Sequence, residues 1–402
     1  MKRRLGAALA AVLGGALLAA AGALPLVRSE HARLIRSRHL GRGETELRTE
    51  NPAGAGLTLR RAGSSLDEAT VVPLTGSSAW LPEGRYFVDA ALGEARLLFP
   101  IVLGLGRPPE EDGTWPVTIR RPSPERPPRL HPEAPDFVYV PGGYFVMGDR
   151  HNPGQPHAVW VHSFHIASFE VTNREFRAFL ADPGGDADPS SWTAAGWGWR
   201  SQAHSQATAR LRPSDPRFPR FGRDDLPVML VTWFEANAYC RWLTRRIGGG
   251  RWLYRLPTDA EWEKAARGPD AFDYGLGMEL SEPQAELYNW RKNPSAEVTL
   301  LGFEETRVRY RANRYGVYHA SGNAREWTQS VFRHYNAEHP YREDDRNADD
   351  AAGMRVTRGG SWYSASAVRL QLAYREEFQP ELSSDDLGFR VAAILGAGGG
   401  PE

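Results

Sequence analysis

Between Arg121 and Pro135 the chain reads RPSPERPPRLHPEAP, with prolines at 122, 124, 127, 128, 132 and 135. Proline lacks an amide donor and fixes its own φ, so neither a helix nor a central strand can run through such a stretch. The segment is read as an extended, semi-rigid linker that divides the chain in two. The two sides differ in character. Of the 13 tryptophans, 11 lie beyond position 150, so the aromatic supply belongs to the second unit. With 41 glycines and 30 prolines much of the chain must be loop, and large aromatic side chains provide the buried area that can pin loops together.

Charge and sulfur exclude several classes. Lys+Arg (49) and Asp+Glu (49) cancel, which argues against a nucleic-acid partner, since phosphate neutralisation needs a basic surplus. The single cysteine, Cys240, excludes an internal disulfide framework, a multi-cysteine zinc site and a two-cysteine redox centre.

At the N-terminus, Met1-Lys-Arg-Arg precedes Leu5 to Val27, 23 residues without a charge. At about 1.5 Å per residue that run can cross a hydrocarbon core of about 30 Å. Small residues at Ala21 and Ala23 could also form a cleavage site, so residues 1–27 are either a signal-anchor or a signal peptide. The expected product is membrane-anchored with extracytoplasmic domains, or secreted if the run is cleaved. Arg28, Arg33, Arg36 and Arg38 follow directly and weaken the charge asymmetry that sets orientation.

Residues 28–42 read as a polar stalk, with a short helix over Ser29 to Arg38. Residues 43–121 carry short runs at Leu57–Arg61, Ala69–Val72, Arg85–Ala90, Arg96–Val102 and Trp115–Arg120, separated by Gly, Pro and Ser turns, which predict a small all-β sandwich. After the linker at 122–135, residues 136–396 form the second domain and 397–402 a tail. In the second domain Thr172-Asn-Arg-Glu175, Thr232-Trp-Phe-Glu235 and Thr258-Asp-Ala-Glu261 fit the capping box and predict three helix starts. The second helix runs to about Ile247 and contains Cys240, read as a buried, inert thiol. Strands are expected at 137–140, 144–147, 158–166, 356–358 and 388–392. The fold class is therefore an irregular α+β domain preceded by an all-β unit and an apolar N-terminal helix.

The order of motifs identifies a family. Phe137-Val-Tyr-Val-Pro-Gly-Gly-Tyr-Phe-Val-Met-Gly148, Pro156-His-Ala-Val-Trp-Val161 and Phe169-Glu-Val-Thr-Asn-Arg-Glu-Phe176 come first. Leu226-Pro-Val228, Ala238-Tyr-Cys-Arg-Trp-Leu243 and Tyr254-Arg-Leu-Pro-Thr-Asp-Ala-Glu-Trp-Glu263 follow, then Gly322-Asn-Ala-Arg-Glu-Trp327, Arg358-Gly-Gly-Ser-Trp362 and Leu387-Gly-Phe-Arg-Val391. Together they closely resemble the sulfatase-modifying-factor family, which contains the formylglycine-generating enzyme. The resemblance implies a C-type-lectin-like fold. It also implies a copper-binding pair of cysteines, five positions apart, shortly after the Gly-Gly-Ser motif. Here the matching positions are Ser364 and Arg369, and neither can replace a thiolate, so copper is not expected.

One calcium site implied by the family matches His319, Gly322, Ala324 and Glu326, where His319 replaces an oxygen ligand that calcium prefers. The other keeps Asn289 and Trp290, but its Asp falls near Leu301. A second resemblance is to the iron-dependent sulfoxide synthases, but this chain lacks the separate helical domain that supplies their histidine ligands. His157, His162 and His165 are read as strand and loop residues, with 157 and 165 on one face of one strand.

What remains is a face. Ser361, Trp362, Tyr363, Ser364, Arg369, Tyr374 and Arg375 mix aromatic anchors with adaptable polar groups, the composition of a binding surface. In the variable proteins of diversity-generating retroelements the corresponding stretch binds ligand. Two functions stay open: a membrane-tethered recognition or scaffold protein whose partner is a protein, a peptide or a glycan, or an enzyme of this family with a non-cysteine site.

Overall fold

The computed structural model describes residues 44–396, apart from 75, 106–113, 149–155, 203–213, 281–284, 287, 293–299, 336–338, 342–347 and 350–351. The apolar run Leu5–Val27 and the stalk lie outside the described residues. Among the described residues no helix is long and apolar enough to cross a membrane.

Residues 44–118 hold seven strands: β1 (Glu44–Glu50), β2 (Gly56–Arg61), β3 (Thr70–Val72), β4 (Ser78–Pro82), β5 (Gly84–Leu92), β6 (Ala95–Leu103) and β7 (Trp115–Thr118). They form one sheet in the order β4-β1-β7 and another in the order β3-β2-β5-β6. Both sheets contribute to a single core that includes Leu47, Leu59, Leu81, Val88, Phe99, Ile101 and Trp115. β1 was not visible in the sequence pattern. Its residues are mostly polar, and it is held by antiparallel pairing to β4 and parallel pairing to β7. Long-range pairing overrides local propensity there.

β5 is buried on both faces. Tyr86, Val88 and Ala90 enter the core just described, while Phe87 faces the other way beneath the Arg314 guanidinium of the second unit. The two units are therefore in contact. Leu66, from the loop after β2, joins a cluster with Phe272, Tyr274, Leu276, Tyr288, Trp290 and Leu370. Around it Arg311 pairs with Asp67 at 2.9 Å, Met278 donates its amide to the Ser64 carbonyl at 3.1 Å, and Tyr315 donates its hydroxyl to the Leu98 carbonyl at 2.9 Å.

Beyond the linker come β8 (Phe137–Val140), β9 (Gly143–Met147), β10 (His157–Val161), β11 (Phe164–Ala167), and helices α1 (Asn173–Ala181), α2 (Ala194–Arg200), α3 (Phe218–Phe221) and α4 (Trp233–Ile247). β12 (Trp252–Arg255), α5 (Asp259–Arg267) and α6 (Phe303–Arg309) follow, then β13 (Arg325–Val331), β14 (Arg355–Arg358), β15 (Glu376–Phe378), β16 (Leu387–Phe389) and β17 (Ala392–Leu395). One sheet has the order β12-β17-β11-β8, another β15-β14-β13-β16, and β9 and β10 form a hairpin. The first and last strands thus share a sheet, with β11 between them.

All three expected capping boxes form, with Thr172, Thr232 and Thr258 each accepting from the amide of the Glu three residues on, whose carboxylate reaches back. Each such cap contributes about 1 kcal/mol. Helix α4 then carries Trp233, Ala238, Tyr239, Cys240, Trp242 and Leu243 into the largest apolar cluster. The expected strand at 158–166 is instead two strands in two sheets. The chain turns at His162 and Ser163, where Gly142 lies so close that a Cβ would stand 2.9 Å from the Ser163 amide. His157 and His165 consequently do not share a face.

Candidate binding face and the loops behind it

The face begins at β14, whose last residue, Arg358, is fully buried. Its guanidinium meets Asp259 at 2.6 Å and Glu263 at 2.8 Å, both on α5, and donates to the Leu372 carbonyl at 2.7 Å. Gly359 and Gly360 follow with φ of 93° and 64°, a region that disfavours side chains. At Gly360 a Cβ would also stand 2.5 Å from the Arg369 carbonyl and 3.2 Å from Ser364 Oγ, so only glycine lets the two segments close.

The turn that follows is satisfied internally. Ser361 donates its hydroxyl to Asp386 at 2.8 Å, and Ser364 Oγ accepts from the Ser361 amide at 2.9 Å. Both serines are buried. Trp362 is buried too, under the Arg220 guanidinium at 4.4 Å and edge-on to Tyr363 at 5.3 Å. Arg375 turns inward, donating to Asp259 at 2.8 Å and to the Arg333 carbonyl at 2.9 Å. Tyr363 is 53 % exposed, Arg369 pairs loosely with Glu376 at 3.5 Å, and Tyr374 is half-buried with its hydroxyl 3.5 Å from the same carboxylate. Of the seven residues read as a face, the structure brings Tyr363, Arg369 and Tyr374 to the surface and uses the other four to hold the turn.

Ser364 and Arg369, which match the family's thiolate positions, do approach one another around Gly360. The chain's only thiol is elsewhere. Cys240 is 1 % exposed within α4, and burial pushes its thiol well above the ordinary range. A copper site needs soft sulfur donors, and a hydroxyl with a guanidinium does not fit that requirement.

Glu326 and Asn289, two of the residues matched to calcium ligands, are engaged by neighbouring side chains. Glu326, on β13, is fully buried; one oxygen accepts from Trp262 at 2.8 Å and from Arg390 at 2.6 Å, and the other accepts from Arg390 at 2.6 Å. Asn289 donates to the side-chain oxygen of Asn323 at 2.8 Å, and its carbonyl accepts the Asn323 amide at 2.8 Å. Gly322, at φ 95°, passes so close to Asn289 that a side chain has no room, and the Ala324 side chain is fully buried in an apolar cluster.

His319 lies 2.6 Å from Thr306 Oγ1, and the threonine's single proton goes to the Gly302 carbonyl. That makes Nε2 the protonated ring nitrogen, a donor rather than a ligand. Burial and nearby Arg390 hold His319 down at about 3. The His319 nitrogen does not suit a calcium ion, which prefers oxygen ligands. Among the described residues no three His, Cys, Asp or Glu side chains converge as a metal-binding group.

Sequence reasoning missed Glu170 in this layer. It is 2 % exposed, accepts from Asn323 at 3.0 Å, and burial pushes it up to about 7, against the pull of Arg390 and with the help of Glu326. No spacing rule could have joined residues 170, 323, 326 and 390. His157 accepts the Tyr341 amide at 2.9 Å, and His165 is wedged edge-on between Tyr139 and Trp252, with burial lowering it to about 4.

Residues 122–395 match the sulfatase-modifying factor enzyme 1-like domain. The chain is 29 % identical to the mouse inactive C-alpha-formylglycine-generating enzyme 2, over 67 % of this chain and 90 % of that protein. It is 32 % identical to the formylglycine-generating enzyme of Streptomyces coelicolor, over 63 % of this chain and 88 % of that one. Identity is also 32 % to the hercynine oxygenase of Mycolicibacterium smegmatis, of which the chain spans 60 %. The solved structure of PvdO from Pseudomonas aeruginosa superposes with a TM-score of 0.50 at 22 % identity, covering 67 % of this chain and all of that one, and shows the shared fold. The chain belongs to the sulfatase-modifying factor enzyme 1-like domain family.

Proposed function

We propose that this protein is a membrane-tethered, extracytoplasmic recognition or scaffold protein, in which a sulfatase-modifying-factor-like domain presents the segment from Ser361 to Arg375 for binding and performs no thiol chemistry. The placement of sulfur carries the reading. The only cysteine is sealed in the core of α4, and Ser364 and Arg369 occupy the positions where the family resemblance calls for thiolates. That a relative matched over 90 % of its length bears the name inactive supports the same conclusion. The hercynine oxygenase is matched over a smaller share, and its activity is not carried over. Tethering rests on the uncharged run from Leu5 to Val27.

Recovery of partners by the tagged full chain, compared with an Arg369→Ala, Tyr374→Ala double variant, tests the face. The variant is expected to lose the partners that the wild type holds; equal recovery from both rejects the face. Tethering predicts that the full chain stays with membranes after alkaline carbonate extraction, and release into the supernatant would contradict it.

A further inference from the structure

We propose that the groove beneath residues 122–135 is a docking site for a proline-rich segment of a partner protein, and that the linker is its intramolecular occupant, which the partner displaces. The site shares no residue with the segment from Ser361 to Arg375, so it stands or falls apart from that face.

The linker does not hang free. Residues 122–135 form neither helix nor strand, yet Pro127, Ala134 and Pro135 are buried and Leu130 packs against the apolar cluster of α4. Tyr254, on β12, donates its hydroxyl to the Pro128 carbonyl at 2.7 Å, and its ring meets Phe137 at 5.7 Å. Such a seat suits a proline-rich chain, which offers carbonyls and apolar rings but few N–H groups, and which loses little freedom on docking because proline fixes its own φ. The strap is also ordered from within, since Arg129 donates to the Ala134 carbonyl at 3.2 Å and pairs with Asp136 at 3.0 Å.

The seat is larger than its occupant. A cavity of about 20 Å³, the space of one water, remains between Pro128, Leu130 and Pro135 on one side and Phe137, Tyr239 and Leu243 on the other. Tyr239 is fully buried there, and its hydroxyl has no partner among the described residues. A buried donor without an acceptor costs free energy that a better-fitting chain recovers. The hold at the rim is light. Glu125 pairs with Arg251 and Glu133 with Arg174, but all four side chains are at least 42 % exposed, and pairs of that kind contribute little. A partner segment that fills the space beside Leu130 and brings an acceptor to Tyr239 therefore competes with the linker.

The test is fluorescence anisotropy of the full chain in detergent with a labelled peptide of residues 122–136. A Pro127→Gly, Leu130→Asp double variant loosens the internal occupant. It is expected to bind the peptide at least about tenfold more tightly than the wild type, whose own strap competes at high effective concentration. Tyr254→Phe added to that variant should weaken binding about fivefold, and a peptide with alanine for every proline should bind at least about tenfold less tightly. Absence of binding by the folded double variant overturns the proposal, as does equal binding by wild type and variant or equal binding of the alanine peptide. A wild-type dimer that the peptide breaks would name a second copy of this chain as the occupant and overturn the separate partner. If the double variant unfolds, as judged by its melting curve, Leu130→Ala gives the same reading; if that variant unfolds too, the segment is a fixed part of the core and the proposal fails.

Discussion

The seven-stranded unit and the larger domain after the linker bury charge in different ways. In the first, Asp89 is buried but its partners Arg60 and Arg96 reach it from the surface, with side chains 31 % and 62 % exposed. Backbone ladders and an aliphatic core do most of the holding. In the second, α5 is buried along its whole length, and Arg358, Asp259 and Glu263 pair with no exposure at all. A domain with short strands and long loops has fewer ladder bonds, and buried side-chain pairs fix the loops in their place. The lesson is that irregular structure here is held by charge inside, and regular structure by backbone.

The strongest way to break that contrast is to remove one arginine from each region. Arg358→Leu takes the shared cation from two fully buried carboxylates, leaving Asp259 with Arg375 and Glu263 with Arg267 alone, and should cost about 3–5 kcal/mol in urea unfolding. Arg96→Leu should cost about 1 kcal/mol or less, since its partner stays within reach of Arg60. Equal losses would refute the contrast.

A change at the junction sharpens it. Leu66→Asp puts a carboxylate into the cluster with Tyr274 and Leu370, and about 2–4 kcal/mol should be lost. Hydrogen exchange should then rise at 270–280 and 367–372, because the Leu372 amide bonds to the Asp273 carbonyl at 2.8 Å. Unchanged exchange there would mean that the first unit does not brace the face.

The buried layer around Glu170 predicts a smaller, pH-dependent effect. His319 is held below its ordinary 6.5, so its contribution is complete above pH 6.5 and is lost as pH falls towards about 3. Glu170 is raised above its ordinary 4.5, so its contribution is complete below that value and is lost as pH rises through about 7. The two slopes oppose each other between pH 4.5 and 6.5. Glu170→Gln leaves the histidine slope alone, and the variant's melting temperature should fall more steeply than the wild type's over that window. Superimposable profiles would contradict the assignment.

The smallest expected effect is that of chelation. With Glu326 taken by Arg390 and Trp262, EGTA or added calcium should not move the melting temperature. A shift of several degrees with calcium would show that these loops do hold the ion.

Much of this was legible locally. Thr–Glu pairs three apart announced α1, α4 and α5, and short alternating or apolar runs between turn residues announced β2, β5 and β6, because caps and strand faces depend on near neighbours. β1 was hidden, since a polar stretch becomes a strand only through β4 and β7. The face was legible as a segment. Which of its residues point outward was not, because Arg375 is drawn in by Asp259, 116 positions away, and Ser361 by Asp386. Glu170 escaped for the same reason. Its neighbours come from two distant motifs, and its burial is a property of the assembled layer.

The central claim is that the domain keeps its family's fold without the family's thiol chemistry. Formylglycine formation on a cysteine-containing sulfatase peptide, followed by mass spectrometry with and without copper, tests it most directly. The account predicts no product above a protein-free control under either condition. Copper-dependent turnover by the wild-type chain would contradict it.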